Sequence, residues 1–485
     1  MPHRTIVVGA GIGGLAAAAL LAREGEVIVL EATSSPGGKM RQLPAGNALI
    51  DAGPTVLTMK PVFEELFDKA GASLPDMLGL RQLDILARHA WPDGARFDLS
   101  ADETEARAEV GRLFGEVEAE GFAAFQRDAR RIHDLLLQPF MKAPRPDLVR
   151  LLLSSSPVQL LRIDPFSTLW DALGRYFSDY RLRQLFGRYA TYCGSSPFKA
   201  PATLMLVAHV EQAGVWAVDG GMHALARAME AIARRAGATF RYQTRVTKIV
   251  VEAGRAAGVE VESGERIEAD AVICNGDAAA VAAGAYGPAA RFAAAAFDRR
   301  HRSLSAMTWS MTAEARDFDL HRHNVFFSND YRAEFDDIFT HGRTPRQPTV
   351  YICASDRGFA EPVAAGERVF VLVNAPADGD LRSYHPEEVE ACRDAAMNQL
   401  QRCGLTLRPQ AATSMTPADF AAAYPSTGGA LYGRASHGWS ASFRRPGVRS
   451  RIPGLYLAGG SVHPGPGVPM AALSGMAAAQ AALSD

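Results

Sequence analysis

The sequence has few cysteines, no long apolar run and almost no net charge. Its 485 residues include five cysteines, which are scattered along the chain and form no Cys-x-x-Cys pair. This pattern argues against a disulfide framework and against a thiolate metal site, so no metal is predicted. The formal net charge of -2 gives no reason to expect nucleic acid as a partner. No stretch is long and apolar enough to predict a transmembrane helix.

The composition is that of an ordinary globular protein. Apolar residues make up 48% of the chain and charged residues 21%, and the length suggests roughly three domain-sized units. The lack of a disulfide framework favours reduced thiols in a cytosolic protein. The apolar run from Ile6 to Ala22 has some features of a signal peptide, but its glycines form a motif that cleavage would destroy.

The first forty residues follow the order strand, Gly-rich turn, helix, strand, acid. The predicted elements are a strand at Thr5–Gly9, a helix at Gly13–Arg23 and a strand at Val27–Leu30. In dinucleotide-binding folds the glycines at the positions of Gly9, Gly11 and Gly14 allow a tight turn, close approach of a pyrophosphate and packing of the helix on the strand. The acid, here Glu31, meets the ribose hydroxyls. This part alone would allow NAD or FAD.

The residues after Glu31 favour FAD. Gly37-Gly38-Lys39 resembles the continuation found in flavin amine oxidases. Physically, the glycines expose backbone N–H groups and Lys39 adds positive charge beside the cofactor phosphates. The run Asp51-Ala-Gly53-Pro-Thr55 then predicts a turn where backbone passes close to a flat ring. No second complete fingerprint follows, so one flavin and no nicotinamide site is the economical interpretation.

Residues 75 to 215 have helical spacing. Asp102–Leu137 is charged and amphipathic, whereas Leu148–Leu153 and Val158–Leu161 are apolar. The basic residues around the apolar runs are Lys142, Arg145, Arg150 and Arg162. Two interpretations stay open: the segment lies on a membrane surface with its basic side chains on lipid phosphates, or it is a helical cap over a substrate cavity.

Four side chains in the middle of the chain are candidates for lining a substrate site or handling a proton. They are Tyr189, Tyr192, His209 and Trp216. The first two belong to Arg188–Pro197, which is punctuated by glycine and proline and predicted as a loop. Further on, Asp219–Met222 places a Gly-Gly pair before a helix, and such a pair either admits a ligand closely or is a plain N-terminal turn.

From Arg245 the pattern changes to strands. The predicted strands are Val246–Glu252, Gly258–Glu262, Arg266–Ile267, Asp270–Cys274, Ser305–Thr312, Val350–Ala354 and Val369–Asn374, with a helix at Pro386–Gln401. Ligands of parallel sheets bind beyond the carboxyl ends of the strands. By analogy, Val246 is predicted to contact the adenine side of the cofactor and Asp277 to lie near it.

The C-terminal segment is a strand that runs into a loop dense in glycine and proline. Pro469 is suited to open the helix predicted from Met470 to about Leu483. The positive end of that helix, aimed at a flavin, would favour the anionic reduced form. His463 is a candidate base, although its neighbouring prolines favour a structural or flavin-edge role.

With these motifs the chain resembles the carotenoid (phytoene) desaturase family of FAD-dependent oxidoreductases. The resemblance runs nearly end to end, and its anchors are Gly9–Gly14, Glu31–Lys39, Asp51–Thr55, Asp219–Met222 and Gly454–Gly475. Arg188–Pro197, Ala200–Thr203 and His463–Ala472 look most like the branch of 1-hydroxycarotenoid 3,4-desaturases. The resemblance implies cofactor contacts from Gly459, Gly460, Val468, Pro469 and Met470.

The resemblance also implies an architecture. We expect an α/β fold in which a Rossmann-like FAD-binding domain is interleaved with an α+β substrate domain, as in flavin amine oxidases. The FAD-binding domain is expected at 1–75, 215–290 and 420–485, a helical substrate or membrane-associating region at 76–214, and a substrate-domain sheet at 291–419. The expected location is cytoplasmic, peripheral to the inner face of a membrane that supplies the carotenoid.

The implied reaction is the desaturation of a hydroxylated or methoxylated acyclic carotenoid by hydride transfer to N5 of a non-covalent flavin. Such chemistry needs an apolar tunnel and orientation more than a strong acid–base set. The electron acceptor is oxygen, a quinone or another carrier. The alternatives are a phytoene desaturase, a carotenoid or retinoid saturase or another amine oxidase-like enzyme and, in a different class, a non-catalytic flavoprotein or carotenoid carrier.

Overall fold

The structure is a computed structural model that describes residues 4–147, 163–359 and 366–485. Its strands are β1 (Arg4–Val8), β2 (Glu26–Leu30), β3 (Gln42–Ala45), β4 (Ala48–Asp51), β5 (Leu80–Gln82), β6 (Ile85–Ala90), β7 (Arg96–Ser100), β8 (Trp216–Val218), β9 (Thr239–Arg241), β10 (Val246–Glu252), β11 (Arg255–Val261), β12 (Arg266–Glu268), β13 (Ala271–Cys274), β14 (Ser305–Arg316), β15 (His323–Phe326), β16 (Val350–Ala354), β17 (Glu367–Ala375), β18 (Thr406–Met415) and β19 (Leu455–Leu457).

The described helices, in chain order, are α1 (Ile12–Leu21), α2 (Lys60–Lys69), α3 (Leu74–Met77), α4 (Glu103–Phe114), α5 (Glu116–Leu136), α6 (Leu169–Leu173), α7 (Tyr180–Gly187), α8 (Leu206–Gln212), α9 (Met222–Arg235), α10 (Ala278–Ala283), α11 (Tyr331–Phe339), α12 (Pro386–Arg402), α13 (Pro417–Ala423) and α14 (Val468–Ser484). Single turns of other helix types lie at Leu137–Met141, Arg188–Cys193, Ala202–Met205, Ala290–Ala293, Arg299–His301 and Ser442–Arg444. No helix within the described ranges combines the length and apolar content needed to cross a bilayer.

A parallel five-stranded sheet forms the centre of one half of the molecule. Its strand order is β19-β13-β1-β2-β9, so the sheet collects segments from both ends and the middle of the chain. The strands are short and β-branched, and β1 and β13 are buried almost throughout, as expected of a parallel sheet covered on both faces. The carboxyl ends of β1 and β2 carry the Gly-rich turn and Glu31, which places the predicted cofactor motif at this edge.

Two helices pack closely against this sheet and against each other. Helix α1 is apolar on all sides and almost entirely buried. Its Gly13 meets Gly475 of α14, where an added Cβ would lie 2.0 Å from the carbonyl oxygen of Gly13. The absence of side chains at this crossing brings the C-terminal helix beside the N-terminal fingerprint.

A seven-stranded mixed sheet forms the floor of the other half. Its order is β18-β14-β17-β16-β15-β6-β7, antiparallel except where β15 pairs with β6. The sequence placed β6 and β7 in the helical region, because charged residues mask their alternation. Arg88 and Asp98 are cross-strand partners, with Nε and Oδ1 2.6 Å apart. Such a pair stabilises the sheet. The same charged residues make the two strands hard to predict from the sequence.

The helical region covers this sheet. The amphipathic stretch predicted over Asp102–Leu137 is two helices, α4 and α5, because Gly115 between them has φ 99°. Arg188–Pro197 is not simply a loop as predicted, since Arg188–Cys193 forms a 3-10 turn whose Tyr189 is buried in the helical core. The apolar runs Leu148–Leu153 and Val158–Leu161 lie outside the described residues.

Candidate functional site

The Gly-rich turn between β1 and α1 is tightly enclosed. Gly9 has φ 94°, and a Cβ on Gly14 would lie 2.1 Å from the Gly9 carbonyl oxygen. The backbone N–H of Gly37 donates to the Ala10 carbonyl oxygen at 2.8 Å, and a Cβ on Gly38 would lie 3.3 Å from Cα of Gly11. The two predicted glycine motifs therefore form one surface, on which backbone N–H groups and a helix N-terminus can approach a pyrophosphate.

Glu31 ties the turn to the end of β2. Its Oε2 accepts a hydrogen bond from the Ala10 backbone N–H at 2.7 Å, and its Oε1 accepts from the backbone and hydroxyl of Thr33, both at 2.8 Å. The Thr244 backbone N–H donates to the Glu31 carbonyl oxygen at 2.8 Å, which places the start of β10 at Val246 beside the acid. The carboxylate has further lone-pair positions with which to accept from ribose hydroxyls.

Lys39 and Asp277 lie near each other beside this turn. Nζ of Lys39 donates to the Leu431 carbonyl oxygen at 2.7 Å and lies 3.9 Å from Oδ2 of Asp277. Asp277 caps α10 by accepting from the Ala279 backbone N–H at 3.0 Å. Burial lowers the pKa of Lys39, and the carboxylate of Asp277 opposes that change. Both predicted residues thus border the same site.

Asp51 accounts for the Gly-Gly pair before α9. Its carboxylate accepts from the backbone N–H groups of Met222 at 2.5 Å and His223 at 3.4 Å. A Cβ on Gly221 would lie 2.2 Å from Oδ2 of Asp51. The Gly-Gly pair is therefore a capped N-terminal turn. It does not admit a ligand beside Gly221, because Asp51 fills that space. Gly53, the next glycine, would place a Cβ 1.9 Å from the Lys39 carbonyl oxygen.

The C-terminal loop returns to the same edge of the parallel sheet. The Gly459 backbone N–H donates to Oγ of Ser474 at 2.8 Å, and Gly459 has φ 110°. A Cβ on Gly13 would lie 2.7 Å from Oδ1 of Asn275 and 2.8 Å from the Gly459 nitrogen. Helix α14 begins at Val468 with a proline in its first turn. The fold therefore places a second helix N-terminus, that of α14, beside the Gly-rich turn Gly9–Gly14.

These segments fit a dinucleotide. A Cβ added to Gly11, Gly13 or Gly14 would lie less than 3 Å from a neighbouring atom, so this turn has no space for side chains. The N-terminus of α1 and the ammonium of Lys39 supply positive potential for phosphates. A dinucleotide cofactor would be held by these groups, and Gly53–Thr55 and Val468–Met470 continue from them into the wall of a cavity.

A cavity of about 800 Å³ extends from those two segments into the helical region and across the seven-stranded sheet. Its wall is mainly apolar. The apolar lining includes Leu136, Met141, Leu204, Val207, Phe370 and Leu372. Phe166 and Trp439 also line the cavity, yet they are 71% and 47% exposed, so the cavity opens to the surface beside this aromatic pair.

One buried polar cluster lies in the helical side of the wall. Arg188 and Glu211 form an ion pair at 3.2 Å, and both side chains are almost fully buried. Glu211 also accepts hydrogen bonds from the hydroxyls of Tyr189 and, at 2.9 Å, Tyr192. Burial opposes the charge on Arg188, but Tyr192 and Glu211 outweigh it and hold the pKa of the guanidinium above its ordinary value.

A second polar group lies in the part of the wall that contains the turn Gly53–Thr55. The hydroxyls of Thr55 and Tyr351 are 2.6 Å apart, and Nδ1 of His323 lies 2.7 Å from the Tyr351 hydroxyl. Thr55 and Tyr351 line the cavity, whereas His323 is buried behind them. Burial and the charges of Arg322 and Arg188 lower the pKa of His323 well below 6.5, so its imidazole is neutral.

Of the predicted catalytic candidates, the fold brings together Tyr189 and Tyr192, whose hydroxyls both donate to Glu211. Among the described residues that line the cavity, Tyr192 is the single member of that set. Tyr189 is buried behind it on Glu211, and His209 packs 4.9 Å from the ring of His133. Trp216 pairs with Leu57 in a β-bridge. Tyr189, His209 and Trp216 are not among the described residues that line this cavity, and their proposed roles stay predictions.

His463 is also buried outside the lining. Its Nε2 lies 2.7 Å from the Phe140 carbonyl oxygen, and burial lowers its pKa to about 4. Those contacts favour the structural role over the role of a base.

Arg445 is a cavity residue that no sequence motif indicated. Its guanidinium donates to the carbonyl oxygens of Arg434 at 2.6 Å, Tyr432 at 3.1 Å and Gly460 at 3.4 Å. Burial lowers its pKa to about 10, which still leaves it charged. The residue lies in a stretch without pattern, and only the fold brings it beside Gly460.

Glu334 of α11 lies directly behind the cavity wall. Its carboxylate accepts hydrogen bonds from the Asn374 amide and the Thr349 backbone N–H, both at 3.0 Å, and both partners line the cavity. Burial raises the pKa of Glu334 to about 7, although the bonds from Thr349 and Asn374 act in the opposite direction.

Glu334 makes stability depend on pH. Because its pKa is higher in the folded than in the unfolded chain, its contribution to stability is lost as the pH rises from about 4.5 to about 7. We expect that loss to be about 3 kcal/mol of unfolding free energy. Urea unfolding of wild type and Glu334→Gln at about pH 5 and about pH 8 measures it, and the variant should lack this component. The same pH dependence in both proteins would contradict the assignment.

The chain matches known proteins along almost its whole length. The family model described as flavin containing amine oxidoreductase matches residues 12–483. The chain is 50% identical over 488 residues to a hydroxyneurosporene desaturase of Rubrivivax gelatinosus, covering 99% of this chain and 93% of that protein. It is 44% identical to one of Cereibacter sphaeroides, covering 99% and 98%. The chain belongs to the carotenoid desaturase family.

The carotenoid desaturase fold is that of the flavin amine oxidases. A putrescine oxidase structure superposes with a TM-score of 0.63 at 16% identity, covering 100% of both chains. At that identity the likeness concerns the fold alone. The predicted α/β class, with its Rossmann-like domain and amine oxidase-like architecture, is confirmed, as is the prediction of a flavin-dependent oxidoreductase of carotenoid biosynthesis.

Proposed function

We propose that this carotenoid desaturase dehydrogenates a hydroxylated or methoxylated acyclic carotenoid, with FAD as a non-covalent cofactor. The observation that carries the proposal is the mainly apolar cavity of about 800 Å³, which extends from Gly53–Thr55 and Val468–Met470 to the surface. A cavity of this size and lining suits an apolar ligand whose orientation is set by few polar groups. The relatives named hydroxyneurosporene desaturase support the substrate class.

The residues of the cavity supply position more than acid–base chemistry. Bound FAD supplies a hydride acceptor. The apolar wall orients the polyene and excludes water from the reacting carbons. Loss of an allylic hydrogen as hydride leaves a cation that the conjugated chain itself delocalises, and release of a proton from the neighbouring carbon to solvent then completes the double bond. Glu211, the carboxylate in the wall, is already engaged by Arg188, Tyr189 and Tyr192, so it holds the wall together.

The substrate class is tested with the purified, flavin-loaded protein. Incubation with a 1-hydroxylated acyclic carotenoid should give a product with one more conjugated double bond at the hydroxylated end, detected by a red shift in absorption and by mass. No product with the flavin bound would overturn the proposal. Desaturation of hydrocarbon carotenes alone would favour a phytoene desaturase instead.

The cofactor is tested by denaturation. We expect the yellow chromophore to separate from acid-precipitated protein and to have the mass of FAD. No cysteine lies within the C-terminal loop or helix, Gly454–Asp485, and Cys193 in the cavity wall has a pKa raised to about 11 by burial. Colour that stays with the precipitate would contradict non-covalent binding.

The proposal includes peripheral association with a membrane, where an apolar substrate dissolves. Phe166 and Trp439 contact each other, with ring centroids 5.9 Å apart, at the place where the cavity opens. Aromatic side chains at such a rim can insert at the lipid interface, and this would place the opening against the bilayer.

We expect the double variant Phe166→Ser/Trp439→Ser to bind anionic lipid vesicles at least about tenfold more weakly, because each aromatic ring contributes burial energy. Co-sedimentation measures this binding. Phe292→Ser removes an aromatic side chain that is 63% exposed but does not line the cavity, so its binding should match wild type. Vesicle binding by the double variant as strong as that of wild type would contradict a role of Phe166 and Trp439 in membrane association.

A further inference from the structure

The hydrogen bonds that link Thr55, Tyr351 and His323 all run in one direction, from His323 toward Thr55. His323 is neutral and carries one N–H, and its Nε2 is buried without a hydrogen-bond partner among the described residues. In either tautomer Nε2 has no partner, as a donor or as an acceptor, but orphaned buried N–H groups are rarer in proteins than under-satisfied acceptors. A hydrogen on Nδ1 instead donates to the Tyr351 oxygen, 2.7 Å away. The tautomer with its hydrogen on Nδ1 is therefore favoured.

That tautomer determines which atoms the hydroxyl groups of Tyr351 and Thr55 donate to. Since the Tyr351 oxygen accepts from His323, its hydroxyl donates to Oγ1 of Thr55 at 2.6 Å. Burial raises the pKa of Tyr351 well above 10, so the phenol keeps its hydrogen. Thr55 then accepts from Tyr351 and retains its own hydroxyl hydrogen as a free donor. Thr55 is buried and lines the cavity, so this donor can reach a ligand there.

We infer that Thr55 donates a hydrogen bond to the terminal oxygen of the substrate, and that Tyr351 and His323 orient it for this task. The inference rests on the proposed function. Hydroxyl and methoxyl oxygens both accept hydrogen bonds, so one donor serves both substrate types, whereas a hydrocarbon end offers no acceptor.

The position suits the chemistry. Thr55 follows Gly53 in the turn predicted to pass close to the flat ring of the flavin, and the oxygen of a 1-hydroxycarotenoid is only a few bonds from the carbons that lose hydrogen. An anchor beside the flavin would hold the hydroxylated end, rather than the middle of the polyene, at the reacting position. The other polar cluster is less suited, because both oxygens of Glu211 already accept hydrogen bonds.

The test compares turnover of a 1-hydroxylated acyclic carotenoid with that of the matching hydrocarbon. For Thr55→Val, which removes the hydroxyl at nearly constant volume, we expect the ratio of the two kcat/KM values to fall about tenfold. The main change should be a higher KM for the hydroxylated substrate. Thr55→Ser should restore the ratio. Tyr351→Phe, which leaves Thr55 in place but unoriented, should lower it by a smaller factor.

Two controls separate recognition from damage. Thr340→Val removes the same hydroxyl at the end of α11, outside the described cavity wall, and should leave the ratio unchanged. Affinity for the already desaturated, hydroxylated product, measured by carotenoid absorption at constant flavin content, should weaken in Thr55→Val by a similar factor. A ratio and product affinity within twofold of wild type in Thr55→Val would overturn the inference. Absence of hydroxycarotenoid turnover in wild type would instead overturn the proposed function.

Discussion

Replacing Glu211 with leucine is expected to lower the free energy of unfolding by about 3–5 kcal/mol. The substitution leaves the guanidinium of Arg188 buried with no carboxylate, and removes the acceptor of the Tyr189 and Tyr192 hydroxyls. An unpaired buried charge costs more than a buried pair contributes. Equilibrium urea unfolding of the flavin-loaded protein measures the loss.

Removing both charges provides the decisive comparison. The double variant Arg188→Met/Glu211→Leu should recover the part of the lost stability that comes from the unpaired charge, because apolar residues of similar size replace a buried ion pair at little cost, while the Tyr189 and Tyr192 hydroxyls stay without their acceptor. As a control, Glu265→Gln breaks the exposed pair between Glu265 and Arg241 and should change stability by less than about 1 kcal/mol. A double variant as unstable as Glu211→Leu would show that the cluster contributes through shape and not through charge.

Replacing Gly14 with alanine is expected to weaken FAD binding by about a hundredfold or more, equivalent to roughly 3 kcal/mol. The new Cβ would lie 2.1 Å from the Gly9 carbonyl oxygen, so α1 must move away from the turn. The contact is with backbone and cannot be relieved by a rotamer change. Titration of the apoprotein with FAD, followed by flavin fluorescence, gives the dissociation constants.

A glycine in another helix provides the control for this effect. A Cβ on Gly111 of α4 would have its nearest contacts at 3.4 Å, an ordinary van der Waals distance. Gly111→Ala should therefore keep the affinity for FAD and stabilise its helix by up to about 1 kcal/mol. Wild-type affinity in Gly14→Ala would show that the close packing of α1 on the turn is not required for binding.

The dinucleotide motif could be predicted because its residues are close together in the chain. Gly9, Gly11, Gly14 and Glu31 belong to one strand–helix–strand unit, in which local steric rules require glycine at set positions. The turn at Gly37–Gly38 follows directly and packs on the first turn. The start of α14 was also predictable, because proline and glycine mark a helix N-terminus locally.

The polar groups of the cavity could not be found in this way. Thr55 and Tyr351 are separated by 296 positions, and Lys39 meets Leu431 across 392. Neither pairing leaves a periodicity or a spacing in the chain. The predicted loop at Arg188–Pro197 illustrates the same limit, since its polar residues look exposed until Glu211, 23 positions away, is seen to bind Arg188.

The sequence by itself determined the cofactor class, the parallel strands around it and the family, since these depend on local steric requirements and on end-to-end similarity. Only the tertiary structure decided which side chains line the cavity, because sheet order and helix packing bring together residues that no motif connects. It placed one of the five catalytic candidates, Tyr192, in a cavity wall that is mainly apolar and contains two buried polar groups. The physical reason is that a buried polar side chain takes its partners from wherever the fold provides them.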